Sequence, residues 1–188
     1  MKKHIQIIFV ATSFIFASFA TLDGPAVFVS NAGVVKIKTK GPLGVINATS
    51  KKLDGSLDAA KKTFSFSIPV TSFEGFQNSL QKTHFNEKYM ESEKIPFATF
   101  KGKIIEAVDL AIPGTYPVRA KGSMKIHDVE KEMIIKSKIT VKAGGIIAIE
   151  SSFNVLLEDF KIKIPTIVNQ KVDEDIAIEV KMDMATKK

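Results

Sequence analysis

From residue 26 onward the chain alternates apolar and polar side chains with a period of two, which places neighbouring residues on opposite faces of a sheet. In "KTFSFSIPV", Phe64, Phe66, Ile68 and Val70 share one face, and Thr63, Ser65 and Ser67 the other. "YPVRAKGSMKIH" sets Val118, Ala120, Gly122, Met124 and Ile126 against Arg119, Lys121, Ser123 and Lys125. "IIKSKITVK" sets Ile135, Ile139 and Val141 against lysines, and "IAIEVKMDM" ends the series with Ile176 to Met184. Five further segments are candidate strands: Ala26–Ser30, Gly33–Thr39, Leu43–Thr49, Ala98–Val108 and Ile146–Leu157. Eight or nine antiparallel strands follow, so the fold class is all-β. Gly144-Gly145 supplies the positive φ angles of a two-residue hairpin, and Asp128 in His127-Asp128-Val129 tolerates a left-handed turn. A sheet of that size in one domain must curl or close to hide its edges, and an up-and-down barrel is the economical solution.

One short helix is expected near residues 78–91. Asn78 can cap it and Gln81 can reach back, while Phe76, Leu80, His84 and Tyr89 form an irregular apolar stripe. Pro96 then ends any helix and forces Ile95 into an extended conformation. The segment reads as a lid handing over to a strand.

The N-terminus adds an address. Lys2 and Lys3, an apolar run from Ile5 to Phe19, and small residues at Ser18 and Ala20 form a secretory signal with cleavage expected after Ala20. The alternative, a membrane anchor, needs ~20 apolar residues and usually lacks a small-residue cleavage site. Residues 21–188 then form one domain, placed in the periplasm or secreted. The chain has no Cys, so packing and strand pairing alone hold an exported fold together. The net charge of +7 falls by two when Lys2 and Lys3 leave. Scattered lysines, one Arg, two Tyr and no Trp make a poor stacking or phosphate-clamping surface, so no nucleic-acid partner is expected.

Taken in order, "FSFSIPVTSFEGF", "LQKTHFNEKYMESEKIPFATFKGKI", "AKGSMKIHDVEKEMIIKSKITV" and "FNVLLEDFKIKIP…DEDIAIEVKM" resemble the YceI-like family of lipocalin-like, polyisoprenoid-binding periplasmic proteins. The likeness covers roughly Lys62 to Met184. It implies a closed antiparallel eight-stranded lipocalin-like barrel, an elongated internal channel for an isoprenoid or similar amphiphilic chain, and no known catalytic activity. By position, His84-Phe85 match the family's helix His and apolar residue, Pro96 with Phe100 its strand entry, Gly122 with His127 its hairpin, and Asp159-Phe160 its late acidic-aromatic pair. The chain departs from the family at Asp128, where Gly is usual, at Gln81-Lys82-Thr83 before the helix His, and in its N-terminal third.

The residues themselves support a hollow interior. Large inward residues (Phe64, Phe66, Phe100, Ile135, Phe153) stand beside small ones (Ala98, Gly102, Ala120, Gly122, Ser137, Ser151). An eight-stranded barrel is just wide enough to fill with side chains or to hold one ligand. The expected ligand contacts are Phe64, Phe66, Phe73, Phe76, Leu80, His84, Phe85, Phe100, Ala120, Gly122, Ile135 and Phe153. Phe73 and Phe76 serve either as the mouth or as staples packing the helix on the barrel. His84 and His127 either bond a headgroup or satisfy structural contacts.

Two histidines after cleavage, no Cys and no carboxylate cluster leave a transition-metal site without its usual ligands, and no cofactor is implied. No Gly-x-Ser-x-Gly elbow, Gly-rich phosphate loop or His-Glu-x-x-His appears, so catalysis is not expected. The expected function is a carrier for an isoprenoid or fatty-acyl lipid. The alternatives are an enzyme acting on a lipid-like substrate in the same cavity, or a filled structural or stress-response barrel. Alternation alone leaves open which face turns inward, but an outer-membrane barrel needs aromatic girdles that two Tyr cannot build. Stable membrane insertion is therefore not expected, while homodimerisation stays open.

Overall fold

Every strand is a stretch whose alternate side chains are apolar. The computed structural model of the chain describes residues 27–41, 44–163 and 173–187. The expected signal segment and its cleavage point, and the first residues of the candidate strands at Ala26 and Leu43, lie outside them. Eight strands form a closed antiparallel barrel in sequence order: β1 (Val27–Gly41), β2 (Gly44–Asp58), β3 (Thr63–Pro69), β4 (Phe97–Ile104), β5 (Gly114–Ile126), β6 (Val129–Lys142), β7 (Ile146–Leu156) and β8 (Asp175–Thr186). The barrel closes through β8 onto β1, with Val35 opposite Val180.

Two β-bulges explain where the alternation breaks. Ser30 pairs with Gly55 and Gly33 with Leu53, so β1 carries an extra residue there; Leu53 to Ser50 then gives β2 its own extra residue against Gly33 to Val35. Both extra pairs, Asn31-Ala32 and Lys51-Lys52, lie exposed side by side. The two candidate strands Ala26–Ser30 and Gly33–Thr39 are therefore one strand, β1. β2 likewise runs nine residues past Thr49, through Asp58, because Leu53 and Leu57 resume the inward row after the bulge.

The turns follow local chemistry. His127 (φ 50°) and Asp128 (φ 61°) join β5 to β6, and Gly144 (φ 87°) and Gly145 (φ 75°) stand between β6 and β7. The first is a two-residue turn, Ile126 facing Val129, whose central residues both need positive φ to match the strand twist; the second, with Lys142 facing Ile146, is a three-residue loop, Ala143 to Gly145, and not the two-residue turn expected. Between β3 and β4 the chain makes a helix, α1 (Ser79–His84), prolonged by one π turn over Phe85–Tyr89. The Asn78 carboxamide accepts from the Gln81 backbone N–H at 2.9 Å, and the Gln81 side chain reaches back to accept from the Gln77 N–H at 3.1 Å. The Pro96 carbonyl accepts from the Val70 N–H at 2.8 Å. That bond continues the β3–β4 ladder beyond Pro69 and Phe97 and draws the two ends of the helical segment together over one end of the barrel.

Apolar side chains turn inward and lysines outward. At the end away from α1, Val141, Ile147 and Met184 form one row across β6, β7 and β8, joined by Phe28 and by Leu110 folding in from the β4–β5 connection. All five are buried. Glu106 clamps that connection: its carboxylate accepts from the Arg119 backbone N–H (2.6 Å) and from Arg119 Nε (2.7 Å). The same bonds hold its pKa below the ordinary carboxylate value.

Candidate ligand-binding site

Above that plug the barrel is hollow. A partly open cavity of about 190 Å³ runs from the α1 end down to the plug, lined by side chains from all eight strands and from the helical segment. Its floor is Leu57, Ile104 and Val118, its wall includes Ile135, Ile149, Phe153 and Val180, and its roof is Val70, Phe73, Phe85 and Met90. Among the described residues Thr99, Ser137 and Ser151 are the polar members of the lining, and none of its side chains is ionisable. The Ser137 and Ser151 hydroxyls bond each other at 2.7 Å.

The aromatic residues fall into two groups. Phe64 stacks on Phe66 (centroids 5.5 Å apart) and tilts against Phe100 (4.9 Å), forming one wall on β3 and β4. Phe85 meets Phe73 edge-on at 5.7 Å and Phe76 at 5.1 Å, binding the helical segment to the chain that precedes it. Offset and edge-to-face contacts of this kind fix ring positions beyond simple burial.

The structure therefore gathers Phe64, Phe66, Phe73, Phe85, Phe100, Ala120, Ile135 and Phe153 around one space. Four other expected contacts lie elsewhere. Phe76 backs the cavity through Phe85 rather than lining it. Leu80 is 61% exposed and His84 is exposed on α1, because the apolar stripe of so short a helix does not continue around it; its contact with the barrel comes from Phe85 in the π turn and Met90 just after it. Gly122 faces Gly102 in the β4–β5 ladder. A Cβ on Gly122 would sit 2.1 Å from the Lys101 carbonyl oxygen, and one on Gly102 2.1 Å from that of Lys121. These two glycines permit close approach of two backbones and contribute no cavity volume.

Sequence reasoning missed Met90, Val70, Ile149 and Val180 as lining residues. Three are ordinary members of inward rows; Met90 carries no periodic signal at all. The hollow is also shorter than an end-to-end channel, because the plug closes the far end. His127 sits in the β5–β6 turn with Nδ1 enclosed and without a hydrogen-bond partner among the described residues.

The wall has two seams. β6 and β7 pair only from Ser137–Ser151 to Lys142–Ile146, so residues 129–136 and 152–156 part from each other. A 3-10 turn, Glu158–Phe160, sits against this seam, with Phe160 buried and Asp159 ion-paired to Lys131 of β6. β2 and β3 part beyond Asp54–Ser67. There the segment after β3 takes over, bonding Thr49 to Glu74 through both backbone groups.

No helix among the described residues is long and apolar enough to cross a membrane. No group of metal-ligating side chains occurs among the described residues.

The fold has solved counterparts. A polyisoprenoid binding domain from Saccharophagus degradans superposes with a TM-score of 0.73 at 10% identity, covering 87% of this chain and 100% of that one. Burkholderia cenocepacia BcnA gives a TM-score of 0.65 at 18% identity, covering 84% of this chain and 99% of the other. The Campylobacter jejuni YCEI protein gives 0.56 at 15% identity, with 98% and 95% covered. No curated protein sequence matches. The sequence profile of the YceI-like domain, in contrast, matches residues 3–184, nearly the whole chain, and the protein belongs to the YceI-like family.

Proposed function

We propose that this protein is an exported carrier that takes the apolar chain of an isoprenoid or similar lipid into the α1-side half of its barrel. The observation that carries this reading is the cavity itself: about 190 Å³ of space with an almost entirely carbon lining. An apolar cavity of ~150 Å³ already stays dry and takes a benzene ring. At ~0.8 kcal/mol per buried CH₂, each five-carbon unit that enters contributes roughly 4 kcal/mol, offset by the ordering of the chain. One to two such units fit the space as it stands, so a longer chain leaves through the roof of Phe73, Phe85 and Met90.

Binding is favoured over catalysis because no ionisable residue lines the cavity among the described residues, and neither general acid–base nor nucleophilic chemistry has an activating group among them. The polyisoprenoid-binding domain among the structural counterparts accords with an isoprenoid ligand. The apolar run at residues 5–19, ahead of Ala20, accords with export to the periplasm or beyond. Native mass spectrometry of the protein purified from its own host tests both parts. The expected spectrum shows a mature chain beginning at Thr21 and a co-purifying lipid that collisional activation removes. A full-length chain would refute export, and reproducibly lipid-free protein that also refuses a prenyl probe would refute the carrier reading.

A further inference from the structure

The outward lysines are not spread evenly around the barrel. Like charges directly opposite each other destabilise a strand pair, so a sheet that only meets water sets opposite signs across its ladders. The β7, β8 and β1 wall does so: Glu150 faces Lys181, and Lys36 faces Glu179. The β4, β5 and β6 wall does the reverse. Lys103 stands opposite Lys121, and Arg119 opposite Lys136, on adjacent rows of one outer face. Lys101 extends the β4 end of that face, and all of these residues are exposed. Opposed side chains lie ~5 Å apart at Cβ, and successive outward residues of a strand ~7 Å apart, so the charges form one continuous patch. Among the described residues Lys101, Lys103, Lys121 and Lys136 have no ion pair, while Arg119 is matched by Glu106. Glu132, opposite Ser123, and Glu130, which accepts from the Ser123 hydroxyl, mark the rim. Two apolar side chains sit inside the patch. Ile134, opposite Lys121, is 57% exposed, and Ile105, whose N–H donates to the Arg119 carbonyl, is 41% exposed.

We propose that this face of β4, β5 and β6 docks the protein, peripherally and reversibly, on an anionic lipid bilayer. An opposite charge spread over a surface relieves the repulsion that the free protein carries between Lys103 and Lys121 and between Arg119 and Lys136. The choice of lysine fits that partner. Its compact, hydrated charge suits a fluid layer of phosphates, whereas one fixed phosphate calls for the planar fork of Arg. Clusters of this size bind anionic membranes through the summed attraction of their lysines. Ile134 and Ile105 add a short apolar contact at the interface, which a dissolved polyanion would leave unused. The docking stands apart from the carrier reading, because it uses the outer face of the wall and none of the cavity.

Flotation with vesicles of phosphatidylglycerol in phosphatidylcholine, against pure phosphatidylcholine, tests the docking. Protein purified from its own host is expected to float with the anionic vesicles alone and to come off as added salt screens the charges. Lys103→Gln/Lys121→Gln/Lys136→Gln should lower the partition coefficient about 100-fold, roughly five-fold for each lysine. The variant should fold, since it removes like-charge contacts. A control, Lys38→Gln/Lys51→Gln/Lys52→Gln, changes exposed lysines of β1 and β2, loses the same net charge and should stay near wild type. Ile134→Ser should weaken vesicle binding several-fold and leave retention on heparin unchanged. No preference for anionic vesicles, undiminished binding by the triple variant or by Ile134→Ser, or an equal loss in the control overturns the proposal. Retention on heparin without vesicle binding also overturns it, and assigns the face to a soluble polyanion. If the triple variant does not fold, the wild-type vesicle comparison and Ile134→Ser decide. Displacement of a prenyl reporter in vesicle-free solution reads the carrier site separately, and every variant should keep it.

Discussion

Ala120 and Gly122 are alike on paper, two small residues two apart on one inward row, and the structure gives them opposite work. Ala120 lines the cavity, whereas the place of a Cβ at Gly122 is already taken by the Lys101 carbonyl. A benzyl group is close to the size of the space, so Ala120→Phe should abolish uptake of a fluorescent prenyl probe while far-UV circular dichroism stays unchanged. Gly122→Ala should instead lower stability, by at least the ~1–3 kcal/mol of an overpacked site, readable as a fall in denaturation midpoint. Glu106 makes a separate residue-scale prediction. Its folded pKa is depressed by the Arg119 backbone N–H and guanidinium. Its stabilisation is thus present above the unfolded-state pKa and is lost as pH falls through the folded one. Glu106→Gln should therefore lower Tm at neutral pH, and the two melting curves should converge in acid.

Among the elements, what was legible in the sequence was whatever local chemistry decides. The Phe64 row, the His127-Asp128 turn, the positive φ of Gly144 and Gly145 and the Asn78 cap all stand where residue type places them, whereas the helical segment stops at Tyr89, well before Pro96. The bulges at Asn31-Ala32 and Lys51-Lys52 did not declare themselves, because an extra residue erases the alternation that reveals a strand. They split β1 in two and hid the second half of β2. Leu80 misled for a related reason, since a helical stripe says nothing about how many turns reach the barrel. The lining of the site was half readable: inward rows are visible, but which end of a barrel is filled depends on Leu110, which enters from the β4–β5 connection, and on Phe28, cut off from the rest of its row by the β1 bulge. The Glu158–Phe160 turn carries its own prediction. Phe160 is 1% exposed, so Phe160→Ala should cost about 3–5 kcal/mol. A fall in denaturation midpoint reads this loss.

At the scale of the whole molecule, closure of the sheet removes its edges and directs one face of every strand to a common interior. Lysines cover the other face, many of them unpaired; those that pair, such as Lys138 and Lys142 with Glu150 and Asp183, form exposed pairs that add little stability. The buried core runs through both ends of the barrel, and on the proposed carrier reading the plug closes one end while the cavity beside it receives the ligand. A small barrel cannot be both fully packed and receptive, and dividing the two along its axis meets both demands. The most direct test of that division is methyl NMR during titration with a prenyl probe. Ile135, Ile149 and Ile178, which line the cavity, should shift and show contacts to the probe, while Ile147 in the plug should not move. Saturable binding that shifts only outward methyls such as Ile134, or that leaves every lining isoleucine in place, would contradict the account.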